Sequence, residues 1–144
     1  MIIFVAGYPC SGKSTFINEN FKDAKVIDVY DFQKDKKCLS YYDVIKSYEQ
    51  AADELLNACH NNKTVVFEHT LLKSIRRKEY VYFLRRNGVK DDIKLYFLIP
   101  DEEKHKNFLI KRNIKNPEDV IKSHKETVEL PNETEGFSEI IIIE

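Results

Sequence analysis

The sequence predicts an α/β domain built on a doubly wound parallel sheet, and three observations lead there. Five short runs rich in β-branched and aromatic residues punctuate the chain: Ile2 to Ala6, Lys25 to Val29, Thr64 to Phe67, Ile93 to Ile99 and Glu139 to Ile143. They are mostly continuous rather than alternating, as strands covered on both faces are. Helical patterns lie between them, so strand and helix alternate along the chain.

Taken in order, the first run leads into Gly7 and a turn before the first helix, and the second follows that helix. Tyr41, Val44, Ile45, Tyr48, Ala52, Leu55, Leu56 and Cys59 then keep the three-and-four spacing of one buried helix face. After the third run, Tyr80, Phe83 and Leu84 mark a helix ending near Gly88, and after the fourth, Phe108 and Leu109 mark one beginning past Asp101. A last helix starts at Asn116-Pro117-Glu118-Asp119, where Asn can cap, Pro suits the first helical position and two acids face the positive end of the helix. No repeat, linker or low-complexity tract interrupts the pattern, so residues 1–144 read as one domain.

Composition limits the partners. Hydrophobic residues make up 42% and charged residues 33%, and a formal net charge of -1 gives no overall attraction to nucleic acid or anionic lipid. The three cysteines, Cys10, Cys38 and Cys59, form no C-x-x-C pair, which argues against a disulfide framework or a zinc site and suits a reducing cytoplasm. The apolar start is too short for a signal-peptide core, and no run approaches the ~18 residues of a membrane span. A soluble, unprocessed cytoplasmic protein with no membrane partner is the expectation.

Only four glycines occur, and two of them, Gly7 and Gly12, fall in Gly7-Tyr8-Pro9-Cys10-Ser11-Gly12-Lys13-Ser14. This stretch fits G-x-x-x-x-G-K-[ST] between a strand and a helix, the setting in which that motif cradles phosphate. Glycines let the backbone wrap a phosphate, the loop amides of Cys10 and Ser11 point inward, and the helix N-terminus adds positive potential. Lys13 is placed to neutralise the β and γ phosphates of ATP, Ser14 to ligate Mg²⁺, and Thr15 to start the helix beside them.

With that loop, the chain resembles small P-loop kinases of the polynucleotide 5′-kinase and nucleoside-monophosphate-kinase-like group, a group that also takes in zeta-toxin-like kinases. The other residues that carry the resemblance are Asp31 past the second strand, Thr64 to Thr70 at the third, Lys111-Arg112-Asn113 in a later helix, and Pro131 with Glu135 to Ile140 before the last strand. The resemblance implies a P-loop NTPase fold of three α/β/α layers with strand order 2-3-1-4-5 and a short helical lid at about residues 112–118. It implies an ATP- and Mg²⁺-dependent kinase acting on a hydroxyl or phosphate, most naturally a nucleic-acid 5′ end, nucleoside or nucleotide.

Residue roles follow from position and from the resemblance together. Glu68 ends an apolar strand at the ligand crevice, where it would hold Mg²⁺ through water; the family more often has Asp there. Asp31 and Asp28 compete as general base, with Asp31 the better match to the family. Arg112 corresponds to the lid arginine that neutralises the moving phosphoryl group. His69 and Thr70 stand where related kinases have small polar residues near the acceptor. The run from Lys73 to Lys90 carries seven basic residues against Glu79 alone, and Arg76 or Arg77 in it would reach an acceptor or donor phosphate while Arg85 and Arg86 decorate a surface.

Other classes fit less well. The N-K-x-D signature of GTPases is missing, since Asn62-Lys63 is followed by Thr64-Val65, and the extra motifs of transporter and ring ATPases are absent. A non-catalytic nucleotide-binding switch and a toxin-type kinase of small molecules or nucleotide sugars remain as alternatives.

Overall fold

A computed structural model describes residues 1–34 and 39–144. Five parallel strands, β1 (Ile2–Gly7), β2 (Lys25–Asp28), β3 (Val65–Glu68), β4 (Ile93–Leu98) and β5 (Glu139–Ile143), form one sheet in the order β2-β3-β1-β4-β5. The helices are α1 (Lys13–Asn20), α2 (Tyr41–Asn61), α3 (Ser74–Arg86), α4 (Glu102–Lys111) and α5 (Pro117–Thr127), with short 3₁₀ turns at Val29–Phe32 and Glu133–Glu135. The expected strand order is the observed one. It sets β3 directly beside β1, with Val5 level with Glu68 and Asp28 level with Glu68 on the other side.

Strand β1 shows why its run is continuous. Ile2, Phe4 and Ala6 face a core shared with Ala51 and Leu55 of α2 and Tyr80 and Leu84 of α3. Ile3 and Val5 face the opposite core, with Ile17 of α1, Val66 and Leu98. All six residues of β1 are buried, because both faces of the sheet are covered there. The edge strands differ: Lys25 and Val26 of β2 and Ile142 of β5 are exposed although their sequences read like the central runs. A strand with one neighbour buries less of each face, and composition alone does not reveal which strands are at the edge.

Helix boundaries follow local chemistry. Ser40 and Asp43 close a reciprocal capping box at the start of α2, and the Asp101 side chain accepts from the Lys104 amide at 2.8 Å to start α4. Pro117 occupies the first turn of α5 and Glu118 and Asp119 follow, as expected, but Asn116 makes no side-chain cap. Among the described residues Cys10 and Cys59 are free thiols, and Cys38 lies outside those residues. No described helix is long and apolar enough to cross a membrane.

Candidate active site at the loop after the first strand

Gly7 ends β1 with φ 138°, and a Cβ built on it would lie 2.1 Å from the Leu98 carbonyl oxygen of β4. The first glycine of the motif is therefore demanded by the neighbouring strand, a reason distinct from the phosphate wrap expected from sequence. Gly12 caps α1 at φ 89°, with the Phe108 ring 3.3 Å from where its Cβ would be. Between them Cys10 holds φ 56°, a left-handed conformation that a non-glycine residue seldom adopts and that bends the loop.

The side chains of the motif converge. Lys13 Nζ donates to the Tyr8 carbonyl at 2.8 Å and more weakly to Gly7 at 3.4 Å, folded back across the mouth of the loop. Burial lowers its pKa to about 8, and Arg112 pushes the same way while Glu68, Cys10 and Asp28 oppose. The Ser14 hydroxyl donates to Glu68 Oε1 at 2.7 Å. The Ser11 hydroxyl is buried with no hydrogen-bond partner, a donor left over inside the loop. Pro9 to Thr15, Asp28, Tyr30, Gln33, Tyr48, Glu68, His69, Thr70 and Arg112 line one cleft of about 460 Å³ around these groups.

Two carboxylates meet there. Glu68, at the end of β3, has its pKa raised by burial and by Asp28, against the Ser14 hydrogen bond and Lys13. Asp28 ends β2, its Oδ1 accepts from the Tyr30 amide at 3.0 Å, and burial likewise raises its pKa. Asp31, preferred on family resemblance, sits one turn on in the 3₁₀ segment, pairs with Lys34 at 3.3 Å and is absent from the cleft lining; its side chain is 55% exposed. The 3₁₀ turn rotates it outward, so Asp28 is the aspartate in the cleft.

The loop after β3 is tied to the P-loop, because Gly7 N donates to the Thr70 carbonyl at 2.9 Å and His69 N to Val5 at 3.2 Å. His69 is packed against Tyr48 at 4.9 Å and Phe67 at 6.0 Å. Burial, Lys13 and Arg76 push its pKa down to about 3, so it is neutral at any working pH. Arg112 ends α4 and reaches the cleft from the turn that opens the 112–118 segment.

The basic run is placed differently from the expectation. Arg77 does not face the cleft: it is 0% exposed, its Nε lies 2.8 Å from Glu135 Oε2, and its Nη atoms donate to the Leu71 and Glu129 carbonyls. It clamps the loop after β3 to the C-terminal 3₁₀ turn. Arg76 also stays out of the cleft lining, pairing with Glu79 at 3.1 Å and lying over the Tyr48 ring. Arg85 is exposed as expected, and it hydrogen-bonds the Val89 and Asp91 carbonyls beyond α3. The inward turn of Arg77 was present in the sequence, since it stands three, four and seven residues before the buried Tyr80, Val81 and Leu84. Tyr48 and Gln33 were not anticipated at the site; nothing distinguishes Tyr48 from the other apolar residues on its helix face.

The sheet order and the loop define a P-loop protein of kinase-like architecture. Residues 2–131 match the AAA domain family model (AAA_33), and the chain belongs to that family. No curated protein matches it. Among solved structures it is similar to a gluconokinase from Sinorhizobium meliloti 1021, with TM-score 0.65 and 18% identity over 98% of this chain and 80% of that one. It is similar to Kti12 of Chaetomium thermophilum in complex with ADP-AlF3, with TM-score 0.57 and 13% identity over 99% and 88%. A chain of the Pnkp1/Rnl/Hen1 RNA repair complex aligns with TM-score 0.63 and 16% identity over 89% of this chain and 46% of that one.

Proposed function

We propose that this protein is an ATP- and Mg²⁺-dependent kinase that transfers the γ-phosphoryl group to an acceptor hydroxyl, on a nucleoside, nucleotide or nucleic-acid 5′ end. The observation that carries the reading is the Ser14–Glu68 contact of 2.7 Å beside Asp28, in the cleft that also receives Lys13 and Arg112. A switch needs a nucleotide cradle; a second carboxylate aimed into the same space is what proton removal from an acceptor needs.

The donor set suits the absent groups. An unpartnered Ser11 hydroxyl, loop amides and an ammonium fit a polyphosphate, and a hydroxyl paired with a carboxylate fits a hard, oxygen-seeking cation. Ser14 directly and Glu68 through water would hold Mg²⁺, which when bound neutralises phosphate charge. The Cys10, Ser11, Gly12 and Thr15 amides and Lys13 Nζ would bind the β and γ phosphates, Lys13 leaving the Tyr8 carbonyl to do so. Asp28 accepts the acceptor's proton, the hydroxyl oxygen bonds to the γ phosphorus, the bond to the β–γ bridging oxygen breaks, and ADP departs. Arg112 offers its guanidinium to the equatorial oxygens, with the 112–118 segment, a turn that runs into the start of α5, acting as the lid. His69, neutral, and Thr70 orient the acceptor. Free thiols at Cys10 and Cys59 suit work in a reducing cytoplasm.

The test is transfer from γ-labelled ATP with Mg²⁺ to nucleosides, nucleoside monophosphates, 5′-hydroxyl oligonucleotides, sugars and nucleotide sugars, with Lys13→Ala as the blank. Label appearing on one acceptor class supports the kinase. Saturable ATP binding with no transfer to any acceptor would instead establish a nucleotide-binding switch.

A further inference from the structure

A second cavity, about 210 Å³, opens between α2 and α3 next to the phosphate cleft. Tyr48 lines both spaces. The walls of the second include three aromatic rings, Tyr48, Tyr80 and Phe83, with Ile45 and Ala52 between them and Glu49 beside them. At its rim Arg76 and Glu79 pair at 3.1 Å, and the Arg76 guanidinium lies 6.0 Å over the Tyr48 ring. The one cation there is thus balanced by its own carboxylate, which leaves an apolar slot without an anion site.

Tyr80 supplies the observation that points to a ligand. It is 7% exposed, and its hydroxyl is buried with no hydrogen-bond partner. Tyr80 itself lines the cavity, alongside the Tyr48 that also lines the phosphate cleft. A buried hydroxyl without a partner is destabilising, and a ligand bearing an acceptor atom restores the missing hydrogen bond. Aromatic walls favour a flat ring, which they hold by stacking and by excluding water.

We propose that the acceptor is a nucleoside, with its sugar hydroxyl at Asp28 and its heterocyclic base in the cavity between Tyr48 and Phe83, accepting a hydrogen bond from the Tyr80 hydroxyl. The proposal rests on the kinase reading for the sugar end only; the base cavity binds whether or not transfer follows. It sets nucleosides apart from ring-free polyols, which leave the cavity empty, and from oligonucleotides, whose further phosphates meet only the paired Arg76 among the described cavity residues.

Two measurements separate the claims. Equilibrium dialysis of labelled adenosine, cytidine and uridine against Lys13→Ala protein reads the base cavity without transfer. Steady-state transfer from ATP to the same nucleosides, to ribose and to a 5′-hydroxyl oligonucleotide reads the acceptor. Ala52→Leu, which plugs the cavity outside the phosphate cleft, should weaken nucleoside binding tenfold or more with ATP affinity unchanged. Tyr80→Phe, which removes only the hydroxyl, should weaken it about fivefold, the worth of one hydrogen bond. Nucleoside binding that survives in Lys13→Ala and falls in both cavity variants upholds the proposal, even where no transfer occurs and the kinase reading fails. Nucleosides that do not bind, binding equal in both cavity variants, or transfer confined to ribose or to oligonucleotides overturns it.

Discussion

Raising the pH from 7 to 9 should strip the charge from Lys13 and weaken nucleotide binding by a predictable amount. Burial holds this ammonium at a pKa of about 8 in the free protein. A lowered lysine pKa means that the charged form is abundant below pH 8 and lost as the pH rises through it. The protonated fraction drops from about 0.9 to about 0.1 over that interval, so an affinity that requires the ammonium falls roughly tenfold, or ~1.4 kcal/mol. Bound phosphates favour the charged form, so ATP binding above pH 8 must take up a proton. The assay is calorimetric titration with ATP at saturating Mg²⁺ in two buffers of different ionisation enthalpy, across pH 7 to 9.5. Heats should diverge between buffers above pH 8, and affinity should decline toward a tenfold loss per pH unit. In Lys13→Arg the guanidinium stays charged and the decline should vanish, whatever the absolute affinity. A flat profile in the native protein, or the same slope in Lys13→Arg, would refute the assignment of Lys13 as the titrating phosphate ligand.

Three further outcomes are expected. Gly7→Ala places a methyl 2.1 Å from the Leu98 carbonyl at φ 138°, and should cost about 3 kcal/mol or more in chemical denaturation; a loss under about 1 kcal/mol would contradict the strand contact. Arg77→Met strands the buried Glu135 carboxylate and should cost about 3–5 kcal/mol, part of it regained on adding Glu135→Gln, whereas a phosphate-binding Arg77 would show in acceptor KM with stability intact. Asp28→Asn should lower turnover at least about a hundredfold with ATP affinity within about threefold, and Asp31→Asn should change turnover less than about twofold; the opposite ranking would restore Asp31 as base.

What the sequence discloses here is whatever is encoded locally. The P-loop is contiguous, so Gly7 to Thr15 were readable as a phosphate cradle, and Glu68 could be placed at the crevice because it terminates a β-branched run. The central strands were legible because burial on both faces leaves no polar residue in β1. Family resemblance ranks Asp31 above Asp28, and the cleft holds Asp28 instead, because three residues and one 3₁₀ turn decide which carboxylate faces it and that turn leaves no periodic mark. The helical spacing of Arg77 marks it as inward-facing, but its partner Glu135 lies 58 residues away, so the sequence does not disclose that the guanidinium is held by an ion pair rather than a phosphate. The reason for Gly7 also needs β4, which is distant in sequence. Tyr48 shows the remaining limit: its spacing marks an inward helix face, but only the crossing of α2 over the crevice makes that face part of a site.

Product analysis by ³¹P NMR of the native protein with ATP, Mg²⁺ and a nucleoside reads phosphoryl transfer itself. A new phosphomonoester resonance should grow in step with ADP and be missing in Asp28→Asn. ADP and inorganic phosphate alone, or no change in a sample that binds ATP tightly, would contradict transfer to the nucleoside.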